Sequence, residues 1–292
     1  MANPVRRSDP EPQSASPPVL SLSGVSLAFR GMPVLTDIDL ELRAGEYVGL
    51  IGPNGGGKSV LLKVILGLLE PDSGTVEVFG EAPDRAAGRV AYVPQYPTFE
   101  RSFPITVLDV VMMGRLANRR PFRRRSAQDF ERARAALERV GMGAHEARQI
   151  GKLSGGQLQR VVIARALATD ARLFLLDEPM SALDPKSQSD LYELMGELAQ
   201  EHTVIVVSHD IGLIGKHVRS IGCLNQCLHY HPSGEVTSEI IEETYGCPVD
   251  FVVHRHEHRV LDDHGHAHDA GHDHGTPGGG AGAGGGGPGG AP

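Results

Sequence analysis

Three groups of residues in this chain have the types and spacing for phosphate chemistry. Gly52-Pro53-Asn54-Gly55-Gly56-Gly57-Lys58-Ser59 match the pattern G-x-x-x-x-G-K-[ST]. In that pattern the glycines let the backbone wrap a β-phosphate, the lysine sets a point charge against the β- and γ-phosphates, and the serine hydroxyl can ligate Mg²⁺. Asp177-Glu178 close the apolar run Leu173 to Leu176. The first carboxylate of such a pair can hold the water shell of Mg²⁺, and the second can orient or deprotonate an attacking water. An acidic pair that merely ends a strand is the plainer alternative. The third group is Leu153-Ser154-Gly155-Gly156-Gln157. Ser154 and Gln157 have capping-box spacing. The glycine pair inside a first helical turn costs about 1 kcal/mol per residue against Ala. It also bares backbone N–H groups to an anion at the positive end of a helix. Cap and anion site both stand as readings of this pentapeptide.

Each group needs a strand, a turn and a helix to hold it. The run 46–51 reads as a strand and 58–68 as the helix that follows the first group, the context the phosphate loop requires. The runs 89–93, 172–176 and 203–207 read as further strands, the last two apolar throughout, as expected for strands buried on both faces. Helical patterning covers 107–116, 126–141 and 154–168. Strands alternating with helices predict an α/β core, and the helix-rich stretch from about 100 to 160 predicts an inserted helical subdomain. Folded patterning runs over 19–253. Residues 1–18, rich in Pro and Ser, read as a disordered leader, 254–275 as a His/Asp-rich tail, and 276–292 as a Gly/Pro-rich disordered end.

Composition narrows the function classes. A net charge of −8 argues against a general nucleic-acid binder. Three cysteines, an odd number, make no disulfide framework, and a reduced, cytoplasmic setting fits. The stretch Val60 to Leu69 is about half the length needed to span a bilayer and is interrupted by Lys63. A membrane role therefore has to come through a partner.

Taken together and in this order, the phosphate loop, the pentapeptide and Asp177-Glu178 resemble the motifs of ATP-binding cassette (ABC) ATPases, over about residues 19–250. The resemblance implies a P-loop NTPase core with a β subdomain and a helical subdomain, hydrolysing ATP with Mg²⁺. It implies that Gln95 senses Mg²⁺ and links to the helical subdomain, that His209 is the switch histidine on the γ-phosphate, and that Phe29 stacks on adenine. Lys58, Glu178 and His209 would be catalytic, and Ser59, Gln95 and Asp177 would face Mg²⁺. Val60 departs from the family's usual Thr, so a hydroxyl near the α-phosphate is missing while the backbone N–H remains. Ser181 to Asp184 resemble the loop by which paired cassettes communicate. In the family a second copy supplies the pentapeptide, so two ATP molecules are sandwiched in a homodimer.

Phe103 to Val111 with Met113-Gly114-Arg115, Leu224-Asn225 with Leu228 to His231, and Tyr245 to Pro248 resemble the zinc/manganese importer ATPases. This implies two integral-membrane permease subunits, an extracytoplasmic metal-binding receptor, and a peripheral place on the cytoplasmic face of the cell membrane. Residues 96–106 would form much of the groove for a permease helix. A manganese or iron importer, or a soluble ABC regulator, are the alternatives. Arg115, Arg119, Arg120, Arg123, Arg124 and Arg125 suit nucleic acid by charge, but read equally as a solvated loop near anionic headgroups or, most simply, as an exposed face with no specific partner. His254, His256, His258, His264, His266, His268, His272 and His274, with interleaved Asp, suit Zn²⁺, and a polar tail with no selected role is the alternative. Cys223, Cys227, His229 and His231 read either as a second metal site or as residues of a hairpin.

Overall fold

Runs of aliphatic and β-branched residues build the strands, and their alternation decides which face each side chain takes. The computed structural model describes residues 17–95, 99–100, 103–115, 125–180, 183–209, 214–215 and 217–232. In chain order the strands among them are β1 (Leu20–Phe29), β2 (Met32–Leu42), β3 (Tyr47–Ile51), β4 (Ser73–Val78) and β5 (Val90–Val93). They continue with β6 (Leu173–Asp177), β7 (Thr203–Val207), β8 (Ser220–Asn225) and β9 (Cys227–His231). Antiparallel β2-β1-β4 form one sheet, and β5-β6-β7-β3-β8-β9 form the other, parallel except for the β8–β9 hairpin.

The central strands β3, β6 and β7 of the larger sheet are buried on both faces, which is why they carry no polar alternation. Val48, Leu50, Leu173, Leu175, Ile205 and Val207 join the core shared with β1 and β2 and with α1 (Lys58–Ile65). Their strand neighbours Tyr47, Ile51, Phe174, Leu176, Val204 and Val206 join a second core, built with the remaining helices. Those helices include α3 (Val107–Gly114), α4 (Ala127–Arg139), α5 (Gly155–Leu167) and α6 (Pro185–Leu198), while α2 (Pro83–Ala86) is a single turn after β4. The α/β class and the helical insertion expected from the alternation are both present, with α3, α4 and α5 packed on one another.

Caps set the starts of these helices. Thr106 with Asp109, Ser126 with Asp129, and Ser154 with Gln157 form reciprocal capping boxes on α3, α4 and α5, and Asp184 caps α6 by accepting from Ser187 N. Helix α1 differs: its N-cap is Gly57, and no side chain caps it. It also ends at Ile65 rather than at Leu68. Gly67, at φ +69°, accepts the left-handed position, and the Gly67 and Leu68 N–H groups bond back to Val64 O (2.9 Å) and Lys63 O (2.9 Å) in a Schellman turn.

Arg115 corrects the reading of the arginine group as a solvated loop. Its side chain is only 9% exposed, its Nε donates to Asp129 Oδ1 (3.3 Å), and its Nη1 donates to Ala168 O (2.7 Å) and lies 3.2 Å from Asp170 Oδ1. It ties α3 to α4 and to the end of α5. Arg125 lies 3.5 Å from Asp109, and Arg119, Arg120, Arg123 and Arg124 lie outside the described residues. So do the leader up to residue 16, the segment Tyr245 to Pro248, and both tails with all eight histidines. Among the described residues no helix is long and apolar enough to cross a membrane.

The pairs Cys223–His229 and Asn225–Cys227 are cross-strand partners in the β8–β9 hairpin, with Cys223 buried and Cys227 exposed. Among the described residues no group of His, Cys, Asp or Glu is placed to hold a metal ion, so these four are strand residues here. The turn between the strands is one residue, Gln226, at φ +61°.

Candidate active site

The carboxyl ends of parallel strands are where open α/β sheets place ligands, because the loops there splay apart and helix N-termini point in. Here β3, β5, β6 and β7 each deliver a loop to one cleft of about 590 Å³. Its lining includes Asn54, Lys58, Ser59, Gln95, Glu178 and His209. The phosphate loop sits so close to β8 that Gly52 and Gly56 have no room for a side chain. A Cβ at Gly52 would lie 2.0 Å from Leu224 O, and one at Gly56 2.9 Å from the same oxygen. Gly57, at φ +99°, turns the chain into α1 beside Val34 O. With no side-chain cap on α1, the N–H groups of its first turn are left for a ligand.

Lys58 Nζ donates to the loop's own carbonyls, Gly52 O at 2.8 Å and Pro53 O at 2.9 Å. Burial holds its ammonium below the usual lysine range, and the charges of Glu178 and Asp177 work in the opposite direction. Ser59 Oγ donates to Asp177 Oδ1 at 3.1 Å, which puts a hydroxyl and a carboxylate from distant parts of the chain side by side. That oxygen pair is a suitable donor set for Mg²⁺, a hard cation that takes few protein ligands and keeps waters. Tyr92 donates to the other oxygen, Asp177 Oδ2, at 3.4 Å. Burial, then the Asp177 charge, push the Tyr92 phenol up to about 12.

Glu178 is the next residue, and its backbone is unusual. It has φ +43°, a left-handed conformation that costs a non-glycine residue about 1–2 kcal/mol. Its N–H still bonds to Val207 O at 3.2 Å, so the strand pairing is kept while the side chain turns into the cleft. Gln95 Nε2 donates to Glu178 Oε2 at 2.6 Å, and His209 Nδ1 lies 3.6 Å from the same oxygen. His209 is 63% exposed and Glu178 14%, so the histidine stands on the rim over a sheltered carboxylate. The cleft thus offers a cation and an oxygen pair to a metal-bound phosphate chain, and a sheltered carboxylate to a water.

The structure therefore brings together Gly52, Pro53, Asn54, Gly55, Gly56, Gly57, Lys58, Ser59, Val60, Gln95, Asp177, Glu178 and His209. It does not bring in Phe29, which lies 43% exposed at the end of β1 and outside the cleft lining. Ser154, Gly155, Gly156 and Gln157 also lie outside it. Their capping box is formed: Gln157 N donates to Ser154 Oγ (3.3 Å) and Ser154 N to Gln157 Oε1 (3.2 Å), leaving the Gly155 and Gly156 N–H groups outside the box. Ser181 and Ala182 lie outside the described residues. Two members were missed from sequence, Val34 on β2 and Tyr92 on β5. Tyr92 had a signal, since it lies on the strand that ends just before Gln95; Val34 had none.

The family model described as "ABC transporter" matches residues 35–181, about half of the chain. The zinc transport system ATP-binding protein of Treponema pallidum is 41% identical over 231 residues, covering 79% of this chain and 86% of that one. The manganese transport system ATP-binding protein of Bacillus subtilis is 39% identical over 236 residues, covering 80% and 94%. Among solved structures, an inward-facing ABC transporter of the metal-chelate type superposes with a TM-score of 0.71 at 30% identity, over 79% of this chain and 90% of that one. A phosphate-loop cleft at the carboxyl end of a parallel sheet, and relatives that match along most of both lengths, establish that the chain belongs to the ABC transporter family as an ATP-hydrolysing, ATP-binding protein.

Proposed function

We propose that this chain powers the uptake of a divalent metal ion, zinc in the first place, by hydrolysing ATP against two partner membrane subunits. The observation that carries the transport reading is the roughly 40% identity, across most of both chains, to proteins named for zinc and manganese transport. The manganese relatives keep manganese as the second reading. The histidine-rich composition of 254–275 favours zinc, since imidazole suits Zn²⁺ and Mn²⁺ prefers oxygen donors. In this reading the tail binds Zn²⁺ loosely, and an extracytoplasmic receptor delivers the ion to the permease. The ATPase stays peripheral on the cytoplasmic face.

In the proposed mechanism Lys58 exchanges its loop carbonyls for phosphate oxygens, and the phosphate-loop N–H groups hold the β-phosphate. Ser59 and Asp177, with Gln95 lining the same cleft, would hold Mg²⁺, which would neutralise charge on the phosphates. Glu178 takes the proton of the attacking water, and His209 donates to the γ-phosphate oxygens. Phe29 offers an exposed aromatic face to the adenine. Ser154 to Gln157 serve the γ-phosphate of a second copy, which accounts for their place outside this chain's own cleft.

Two measurements test the reading. Glu178→Gln keeps ATP binding and loses about a hundredfold or more in turnover; ordinary turnover in that variant removes Glu178 from the role. Zinc and manganese accumulation in cells lacking the chain decides the ion: zinc uptake should fall and return with the wild-type chain but not with Glu178→Gln. Loss of manganese uptake alone makes manganese the cargo.

A further inference from the structure

Helix α6 touches both arms that carry Glu178 and His209. Gln188, one turn into the helix, donates its Nε2 to Met180 O (3.2 Å) and to Leu183 O (3.2 Å). Those two carbonyls belong to the segment that leaves Glu178 and returns to the helix cap at Asp184. One turn further along, the Tyr192 hydroxyl lies 3.2 Å from Ser208 Oγ, and Ser208 immediately precedes His209. Residues four apart share a helix face, so a single stripe of α6 holds the segment after Glu178 and the residue before His209. The second contact is buried, with Tyr192 1% and Ser208 5% exposed. The Tyr192 ring is itself fixed by stacking on His217, with centroids 5.1 Å apart and planes within 7°. Ser208 is fixed from the sheet side, where its N–H donates to Leu50 O at 3.2 Å, on the strand that enters the phosphate loop.

Packing alone does not ask for a hydroxyl at this place. A Phe at 192 would fill nearly the same volume and stack on His217 equally well, and a buried hydroxyl needs a partner or costs about 1–3 kcal/mol. What the hydroxyl adds is direction: it ties Ser208, and so the backbone of His209, to the helix that also anchors the far side of Glu178.

We propose that Gln188 and Tyr192 are positioning residues that set the spacing between Glu178 and His209, whose side chains stand 3.6 Å apart. The proposal rests on the reading of Glu178 and His209 as the hydrolytic pair. Neither Gln188 nor Tyr192 touches the nucleotide in this scheme, so their loss should affect the chemical step and spare binding.

The test is steady-state ATP turnover by the full-length chain carrying Tyr192→Phe, Ser208→Ala, both together, and Gln188→Leu, with Glu178→Gln measured alongside. Tyr192→Phe should lower kcat about tenfold, because small misplacements of reacting groups cost that much or more. The KM for ATP should stay within about twofold, and the thermal midpoint should fall by no more than the few degrees that the loss of one buried hydrogen bond costs. Ser208→Ala should match it, and the double variant should be no worse than either single one, since both remove the same contact. Gln188→Leu should show the same split between kcat and KM. Wild-type kcat in both Tyr192→Phe and Ser208→Ala overturns the proposal. So do multiplicative losses in the double variant, or a loss carried wholly by KM or by a lower thermal midpoint. Ordinary turnover in Glu178→Gln would instead sink the underlying assignment of the hydrolytic pair, and that result is read independently of the α6 variants.

Discussion

Gly52 and Gly55 lie in the same loop and both take positive φ, yet their substitution should have very different consequences. At Gly52 (φ +149°) any Cβ collides with Leu224 O, a backbone atom in a paired strand that cannot step aside. Gly52→Ala should cost about 3 kcal/mol or more and abolish ATP binding. At Gly55 (φ +81°) the space is open, so Gly55→Ala should cost only the left-handed penalty of about 1–2 kcal/mol. Denaturant unfolding of the two variants, with nucleotide binding measured in parallel, checks the contrast; equal losses would mean that contact with β8 is not what excludes the side chain. At this scale most of the cleft was legible, because Lys58, Ser59, Asp177 and Glu178 lie at fixed offsets from strand ends, and that is a local pattern. Tyr92 was legible only in its place before Gln95, because its hydroxyl meets Asp177 through the pairing of β5 with the distant β6, and Val34 was not, because it lies beside Gly57 from a hairpin strand with no chemical signature. The left-handed backbone of Glu178 was also invisible, since an acidic residue after a strand carries no mark of it.

Asp129 shows how one element can serve two others. It closes the α4 capping box, with Oδ2 accepting from Ser126 N (2.8 Å) and Ser126 Oγ (2.6 Å), while Oδ1 accepts from Arg115 Nε. The carboxylate is 2% exposed and the guanidinium 9%. Asp129→Ala removes a cap and a buried ion-pair partner together, and should destabilise the chain by about 3 kcal/mol or more. Thermal unfolding reads the loss; a shift no larger than that of a surface substitution would mean that Asp170 and Ala168 O suffice for Arg115. The box itself is visible in the sequence as Ser-x-x-Asp, but the ion pair is not, so the sequence groups Arg115 with Arg119 to Arg125. Strand positions followed the aliphatic runs closely, whereas the end of α1 did not. The apolar pattern continues to Leu69, and the Schellman turn at Gly67 overrides it.

The whole chain carries a pH dependence that the cleft does not need. His202 packs edge-on against Phe174, and its Nδ1 is buried with no hydrogen-bond partner among the described residues. Burial lowers its pKa below the usual histidine value, with Glu201 opposing and Arg139 adding to the effect. Between the folded and unfolded values the unfolded chain binds more protons, so stability rises with pH there. That contribution is present above about pH 6.5, the unfolded value, and is lost as pH falls through the lowered folded value. His202→Phe should flatten the fall of the thermal midpoint between about pH 7 and pH 5; an unchanged slope would place the titration elsewhere. At the same scale the cleft and the Ser154–Gln157 cap are separate surfaces, so the proposed function needs two copies. Glu178→Gln with ATP should sediment as a dimer, and Gly155→Asp in that background as a monomer that still binds nucleotide. A dimer in both would remove the pentapeptide from the interface. For the tail, zinc calorimetry on the full chain and on a chain ending at Val253 should differ in stoichiometry, and equal stoichiometry would remove the tail from zinc binding.

The contact between the phosphate loop and the β8–β9 hairpin has a bearing on synthesis. Leu224 O walls in Gly52 and Gly56, and Gln226 donates its N–H to Gly56 O (3.2 Å) while accepting from Thr36 N (2.8 Å). The loop is thus shaped by residues translated long after it. A nascent chain that has exposed only its first two hundred residues has the glycines and the lysine but lacks the wall that holds them. The wall of the loop is therefore completed only when β8 and β9 have left the ribosome, and a chain cut before Ser220 is expected to bind nucleotide more weakly than the full chain.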